Sequence, residues 1–376
     1  MIPVLKQLAK LAALPLEQAS AMPPEMYSSE EVFELEQERI FSQQWLCAGR
    51  VGSIPNPGDY LTYSIGTQPI MIVRQKDQSV LAFANVCRHR MMRLLEGRGN
   101  CKGNRIMCPY HAWTYSTDGS MIGAPYMQDR PEFDRSKLSL KPVHCEIWEG
   151  WIYVSLHPDP LSVAEELKEL SELVSSYNME NYVDIVSEDH VWNTNWKYLT
   201  ENFMEGYHLP VAHRATVGGH FPVKETQFSS GPPNPAFTYQ FFKKNASAPI
   251  GLAHPDNETL KGDQRTISIL PTIFPSHMFA LAPDHLWYLS LQPKSLNEVS
   301  IRYGAALAPE VLASKAEPES FIKEIKDFLW QVNEEDRFVV EGIAEGSKGM
   351  LSEPGPLSWL ERENHEFTQY LARKLC

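Results

Sequence analysis

Two short runs constrain this chain more than any other feature: Cys87-Arg88-His89 and, after 18 intervening residues, Cys108-Pro109-Tyr110-His111. Each offers one thiolate and one imidazole. A [2Fe-2S] cluster of mixed ligation needs two such loops, with both thiolates on one iron and both imidazoles on the other. Exchanging two anionic ligands for neutral ones raises the potential by on the order of several hundred millivolts over an all-cysteine cluster. A structural zinc is the competing reading, but zinc fingers place a cysteine pair before a histidine pair, whereas here each loop mixes the two. Cys47, Cys101, Cys145 and Cys376 have no such partner and read as ordinary thiols.

The flanking texture suits such a scaffold. Ser28 and Glu31, at capping-box spacing before Val32, Phe33, Leu35 and Ile40, predict an amphipathic helix in a packing arm over 1–44. Runs at 60–65, 70–74, 80–86, 144–148 and 151–156, with turns at Asp118-Gly119 and Glu149-Gly150, predict an antiparallel β domain over 45–157. Past His157-Pro158-Asp159-Pro160 the pattern becomes α+β over 158–376. A charged helix at 162–174, a strand at 185–192 and a helix at 195–207 that Pro210 stops come first. Strands at 266–273, 278–282, 286–291 and 299–307 and a helix at 318–345 follow. The Pro-, Gly-, Asn- and Lys-rich run 231–262 reads as a long loop lidding a site.

A second constellation lies in the second domain. Helical spacing puts Glu201, Glu205 and His208 on one face, and a break at Pro210 lets His213 turn back toward His208. Two histidines and one carboxylate on one side of a metal form the facial triad of non-haem Fe(II) oxygenases, which leaves positions open for O2 and substrate. The third ligand is not fixed by this pattern.

Taken together, Cys87-x-His89, Cys108-x-x-His111, Asn195-Trp196-Lys197 and Glu205-x-x-His208-x4-His213 resemble the large (α) subunit of Rieske non-haem iron oxygenases over roughly residues 40–350. The resemblance implies an N-terminal Rieske β domain and a C-terminal helix-grip (START-like) catalytic domain. It implies a homotrimer in which the cluster of one chain serves the iron of the next. It also implies an Asp from the C-terminal helix as third iron ligand, here Asp336 in Glu334-Glu335-Asp336, with Glu335 as runner-up. Glu205 stands where many ring dioxygenases carry a bridging Asp, as in the carnitine, choline and glycine-betaine oxygenases. It is expected to accept hydrogen bonds from His208 and from the neighbouring chain's His111. The chain length resembles the shorter single-subunit-type oxygenases, which favours monooxygenation or oxidative demethylation.

Composition narrows the partners. A net charge of −13 gives no basic face for nucleic acid, and no apolar run is long enough for a membrane span, so a cytoplasmic protein is expected. Gly97-Arg98-Gly99-Asn100-Cys101-Lys102-Gly103 misplaces its third glycine for a dinucleotide fingerprint and lacks a βαβ unit. Electrons are therefore expected from a separate NAD(P)H-dependent reductase, with or without a ferredoxin, for use with O2 and a small organic substrate. Phe274, Phe279, Trp287 and Tyr288 are candidates for an apolar pocket or a cage for a quaternary ammonium or N-methyl compound, with at most one of Trp287 and Tyr288 facing it. The alternatives are a cis-dihydroxylating dioxygenase and a non-catalytic Rieske electron carrier.

Overall fold

The computed structural model describes residues 2–219, 221–244 and 250–376. They form two compact units, Phe41–Val163 and a second made of Met1–Ile40 with Ala164–Cys376. The N-terminal arm thus packs into the second unit. Its cap is Ser29, one residue later than expected: the Ser29 side chain accepts from Val32 N (3.3 Å), while Ser28 Oγ turns back to Pro24 O.

In the Phe41–Val163 unit, an antiparallel seven-stranded sheet runs in the order Leu46–Arg50, Trp151–Ser155, Pro142–Trp148, Val80–Ala84, Gln68–Arg74, Asp59–Ile65, Arg98–Asn100. A three-stranded sheet of Arg105–Met107, Thr114–Ser116 and Met121–Gly123 accompanies it. Cys87 follows Val80–Ala84, and Cys108 to Trp113 join the first hairpin of the small sheet. Both cysteines are buried with Met71, Val73, Ile106, Trp113 and Tyr115.

The second unit is an antiparallel sheet ordered Val183–Trp192, Glu298–Leu307, His285–Ser295, His277–Leu281, Ile267–Ile273, Phe237–Lys243, Gln227–Phe228, gripping the 29-residue helix Pro318–Gly346. Phe237–Lys243 corrects the lid expectation. Its alternating Phe-Thr-Tyr-Gln-Phe-Phe pairs in register with Ile267–Ile273, because aromatic and β-branched residues fit a pleated surface better than a loop. Residues 245–249 of that run lie outside the described residues. The charged helix is two short ones, Val163–Glu166 and Lys168–Val174. Two helices without a sequence expectation, Pro3–Ala12 and Arg362–Leu375, are tied by Gln369 Nε2 donating to Ala12 O (3.3 Å) and Cys376 Sγ to Leu5 O (3.2 Å).

Candidate metal centres

The two cysteine/histidine loops are built alike. Cys87 N donates to Met92 O (2.8 Å) and Met91 N to Cys87 O (3.1 Å). In the second loop Cys108 N donates to Trp113 O (2.8 Å) and Ala112 N to Cys108 O (3.0 Å). Each turn closes through a non-glycine residue with positive φ, Met91 at 58° and Ala112 at 55°. Left-handed backbone costs energy at such residues, so its occurrence at the same place in both loops marks a geometry the fold imposes.

The four side chains divide as a mixed-ligand cluster requires. Cys87 and Cys108 are buried, while His89 and His111 are exposed with ring centroids 4.7 Å apart. Trp113 stacks on His89 at 4.7 Å. Burial raises the Cys87 thiol's pKa, opposed by a hydrogen-bond contact with Tyr115 OH (3.4 Å), which also accepts from Arg88 N (2.9 Å). Two buried sulfur donors behind two exposed nitrogen donors fit a [2Fe-2S] unit with its histidine iron toward the surface. None of the six cysteines is in a disulfide.

The second centre sits where the Trp196–Phe203 helix ends. Asn195 caps that helix, its side chain accepting from Lys197 N (3.1 Å) and donating to Tyr27 O and Leu296 O. Trp196 Nε1 and Lys197 Nζ both donate to Glu36, each at 2.7 Å, and the Lys197 and Glu36 side chains are fully buried. The Asn195-Trp196-Lys197 run is therefore the anchor of the segment that carries the histidines.

Here the structure corrects the single-helix expectation. The helix stops at Phe203, so Glu205 and His208 lie in an irregular turn, and Pro210 belongs to a new short helix, Leu209–Ala212. Proline is tolerated in a first helical turn because its missing N–H would be unpaired there anyway. Glu201 leaves the site: both its carboxylate oxygens accept from Tyr27 OH at 2.8 Å. Burial raises its pKa to about 7 against the opposing Tyr27 hydrogen bond and Lys197 charge.

His208, His213 and Asp336 converge, with one potential ligand atom from each within 4.8 Å of the others. His213 Nε2 lies 2.9 Å and His208 Nε2 3.6 Å from Asp336 Oδ1. Donors about 2.1 Å from one metal and at right angles to one another would stand about 3.0 Å apart, so the arrangement fits a facial triad. Behind it, each imidazole meets a second carboxylate. Glu205 Oε1 is 2.6 Å from His208 Nδ1, and Glu205 Oε2 accepts from the backbone N–H groups of Tyr207 and His208. Glu335 Oε2 is 2.8 Å from His213 Nδ1 and accepts from Thr216 Oγ1. Burial of His213 opposes its protonation, but the Asp336 and Glu335 carboxylates outweigh it and raise its pKa. Glu335, the runner-up ligand, thus turns to the outer face of a histidine.

An apolar cavity of about 100 Å³ adjoins the triad, bordered by Phe203, Phe221, Phe242, Leu289 and Val332 among others. Trp287, Tyr288 and Leu289 all border it. Consecutive strand residues cannot point the same way, so backbone forms part of this wall. Trp287 is directly opposite Ala305 and Leu289 opposite Tyr303, whereas Tyr288 OH reaches Ser187 Oγ (3.1 Å) across Gly304 on the other face. Phe274 stacks on Tyr370 (4.5 Å) and Phe279 is fully buried; neither borders the cavity.

A mixed-ligand cluster domain followed by a helix-grip domain holding two histidines and an aspartate defines a Rieske-type iron protein. The Rieske [2Fe-2S] domain model matches residues 44–138, and the catalytic domain model of the ring-hydroxylating alpha subunit matches residues 179–376. The chain belongs to this ring-hydroxylating alpha-subunit family of Rieske proteins, whose cofactors are a [2Fe-2S] cluster and mononuclear iron. It is 34% identical over 199 residues to the carnitine monooxygenase oxygenase subunit of Escherichia coli (strain K12), covering 52% of this chain and 53% of that one. With the glycine betaine monooxygenase oxygenase subunit of Chromohalobacter salexigens it shares 38% over 195 residues, 51% of this chain and 43% of the relative. The chain thus spans about half the length of the curated relatives it matches. The quaternary ammonium Rieske monooxygenase CntA in complex with an inhibitor has the same fold, with a TM-score of 0.83 at 24% identity over 98% of both chains. No helix among the described residues is long and apolar enough to cross a membrane.

Proposed function

We propose that this chain is the terminal oxygenase of a multicomponent Rieske system that monooxygenates, by hydroxylation or oxidative demethylation, a small organic substrate. The carrying observation is the convergence of His208, His213 and Asp336 beside an apolar cavity. These three would hold iron, which supplies O2 activation there; Cys87, His89, Cys108 and His111 would hold the cluster that supplies single electrons. Glu205 and Glu335 hold the outer nitrogens of the two histidines, leaving both Nε2 atoms directed at the metal position. An electron carrier has no use for this second donor set.

The similarity to carnitine and glycine betaine monooxygenase subunits supports a quaternary ammonium or N-methyl substrate. Electrons come from a separate NAD(P)H-dependent reductase, and cysteines outside any disulfide suit a reducing cytoplasm. Exposed apolar residues in the cluster loops (Met91, Tyr110) and near the iron residues (Tyr207, Val211, Phe338) support a closed homotrimer in which Glu205 meets the neighbouring chain's His111. Anaerobic purification should give about three irons and two acid-labile sulfides per chain, with product formed from a quaternary ammonium panel once a surrogate reductase is added. Zinc without sulfide would sink the reading, and a product carrying two oxygen atoms from one O2 would replace it by dioxygenation.

A further inference from the structure

A second apolar cavity, of about 140 Å³, lies between the long helix and the same sheet. Its walls include Ala305 and Leu307 from the sheet and Phe321, Ile325 and Phe328 from the helix. Trp287 and Leu329 border both this cavity and the iron-side one. The registers explain why. Trp287 stands opposite Ala305 and Leu289 opposite Tyr303, so the sheet residues along both cavities share one face. Phe321, Ile325, Phe328 or Leu329, Val332 and Asp336 recur every three or four residues, so the helix residues share one stripe. Both cavities are successive lengths of one cleft, closed in the middle by an indole from the sheet and an isobutyl group from the helix.

From the geometry we infer that the second cavity is the distal compartment of the substrate site, taking the hydrocarbon tail of an elongated substrate whose reacting end lies at His208, His213 and Asp336. Helical rise places the Leu329 partition about 10 Å from Asp336 and Phe321 about 22 Å from it. The polar residues on the distal wall, Asp284 and His285, are already paired with each other at 2.6 Å, which leaves the compartment suited to an uncharged chain. A mere packing void would be indifferent to ligand length. The inference rests on the oxygenase reading for the identity of the reacting end, but its test is a binding measurement that needs no turnover.

Titration calorimetry on the full, metal-loaded chain under anaerobic conditions would use n-alkyltrimethylammonium ions from ethyl to octadecyl, kept below their micelle concentrations, and n-alkanols over the soluble part of that range. Once the chain passes Trp287 and Leu329, affinity should rise about fourfold per added methylene. Ala305→Leu, which adds bulk opposite Trp287 on the distal wall, should cost long members tenfold or more and leave short ones unchanged. Phe321→Ala, at the far end, should move the affinity maximum to longer chains and guards against misfolding of the first variant. A length dependence that ends at the same member in wild type and both variants overturns the inference. If alkanols bind as well as the ammonium series while the length dependence persists, the quaternary ammonium reading fails and the compartment stands.

Discussion

Removing Glu335 tests whether this carboxylate orients His213 or binds the metal itself. In the structure its Oε2 atom is 2.8 Å from His213 Nδ1 and accepts from Thr216 Oγ1, while His213 Nε2 faces Asp336. A carboxylate so placed fixes the ring and strengthens the donor nitrogen, and loss of such a partner costs about 10- to 100-fold in metal affinity, or about 1.4 to 2.8 kcal/mol. Glu335→Ala should therefore bind Fe(II) that much more weakly yet fill at high metal concentration. Glu335→Gln, which keeps one acceptor oxygen, should recover part of the loss. Asp336→Asn removes a proposed ligand and should not fill. Anaerobic Fe(II) titration followed by iron analysis checks all three, and the unchanged visible spectrum of the cluster serves as internal control. If Glu335→Ala emptied the site as Asp336→Asn does, Glu335 would be a ligand; if it bound iron like wild type, the orienting role would be wrong.

Glu36→Ala should destabilise the catalytic unit by about 3 to 5 kcal/mol in urea unfolding, because it strands the buried Lys197 ammonium and the Trp196 N–H. Glu201 has a folded pKa of about 7 against 4.5 for the ordinary carboxyl, so the folded state binds more protons between those values and stability falls as pH rises from about 4.5 to about 7. Glu201→Gln should flatten that slope, worth at most about 3 kcal/mol and less where water enters the adjoining cavity; unfolding at pH 5 and pH 8 measures it. Cys108→Ser should abolish the cluster spectrum and leave mononuclear iron binding intact, since the two donor sets lie in separate compact units. Glu205→Gln should keep both metals and still accept an electron from reductase, with electron passage to the iron, followed by stopped-flow spectroscopy, as the step that fails.

What could be read from the sequence was whatever local spacing encodes. The loops at Cys87 and Cys108 announced themselves because cluster ligation demands fixed residue types a few positions apart, and strands such as Gln68–Arg74, Trp151–Ser155 and Glu298–Leu307 are apolar runs rich in β-branched and aromatic residues. The strand Phe237–Lys243 was hidden by its Pro-, Gly- and Asn-rich flanks, although its own residues are strand formers. Helices Pro3–Ala12 and Arg362–Leu375 pack against one another, and the second also sets Phe367 against Trp196 and Phe274, contacts no local window contains. Glu201 shares a face with Glu205 and His208 only on the premise of an unbroken helix.

The choice between Glu335 and Asp336 shows where spacing alone stops and three dimensions take over. Neighbours on a helix diverge by about 100°, so two adjacent carboxylates cannot both point at one metal position. An imidazole, however, has nitrogens on different sides of its ring, and His213 stands between the two side chains with Nε2 toward Asp336 and Nδ1 toward Glu335. On the proposed reading the Glu335-Asp336 pair is therefore one device, an inner carboxylate that would take the metal and an outer one for the ring, and its two halves follow from the helical angle. Glu205 does the same for His208 from a different element, held by the backbone N–H groups of Tyr207 and His208 that the break after Phe203 leaves free of helical bonding. That break, five residues before His208, is what turns a stretch with helical spacing into a loop that brings His208 and His213 together.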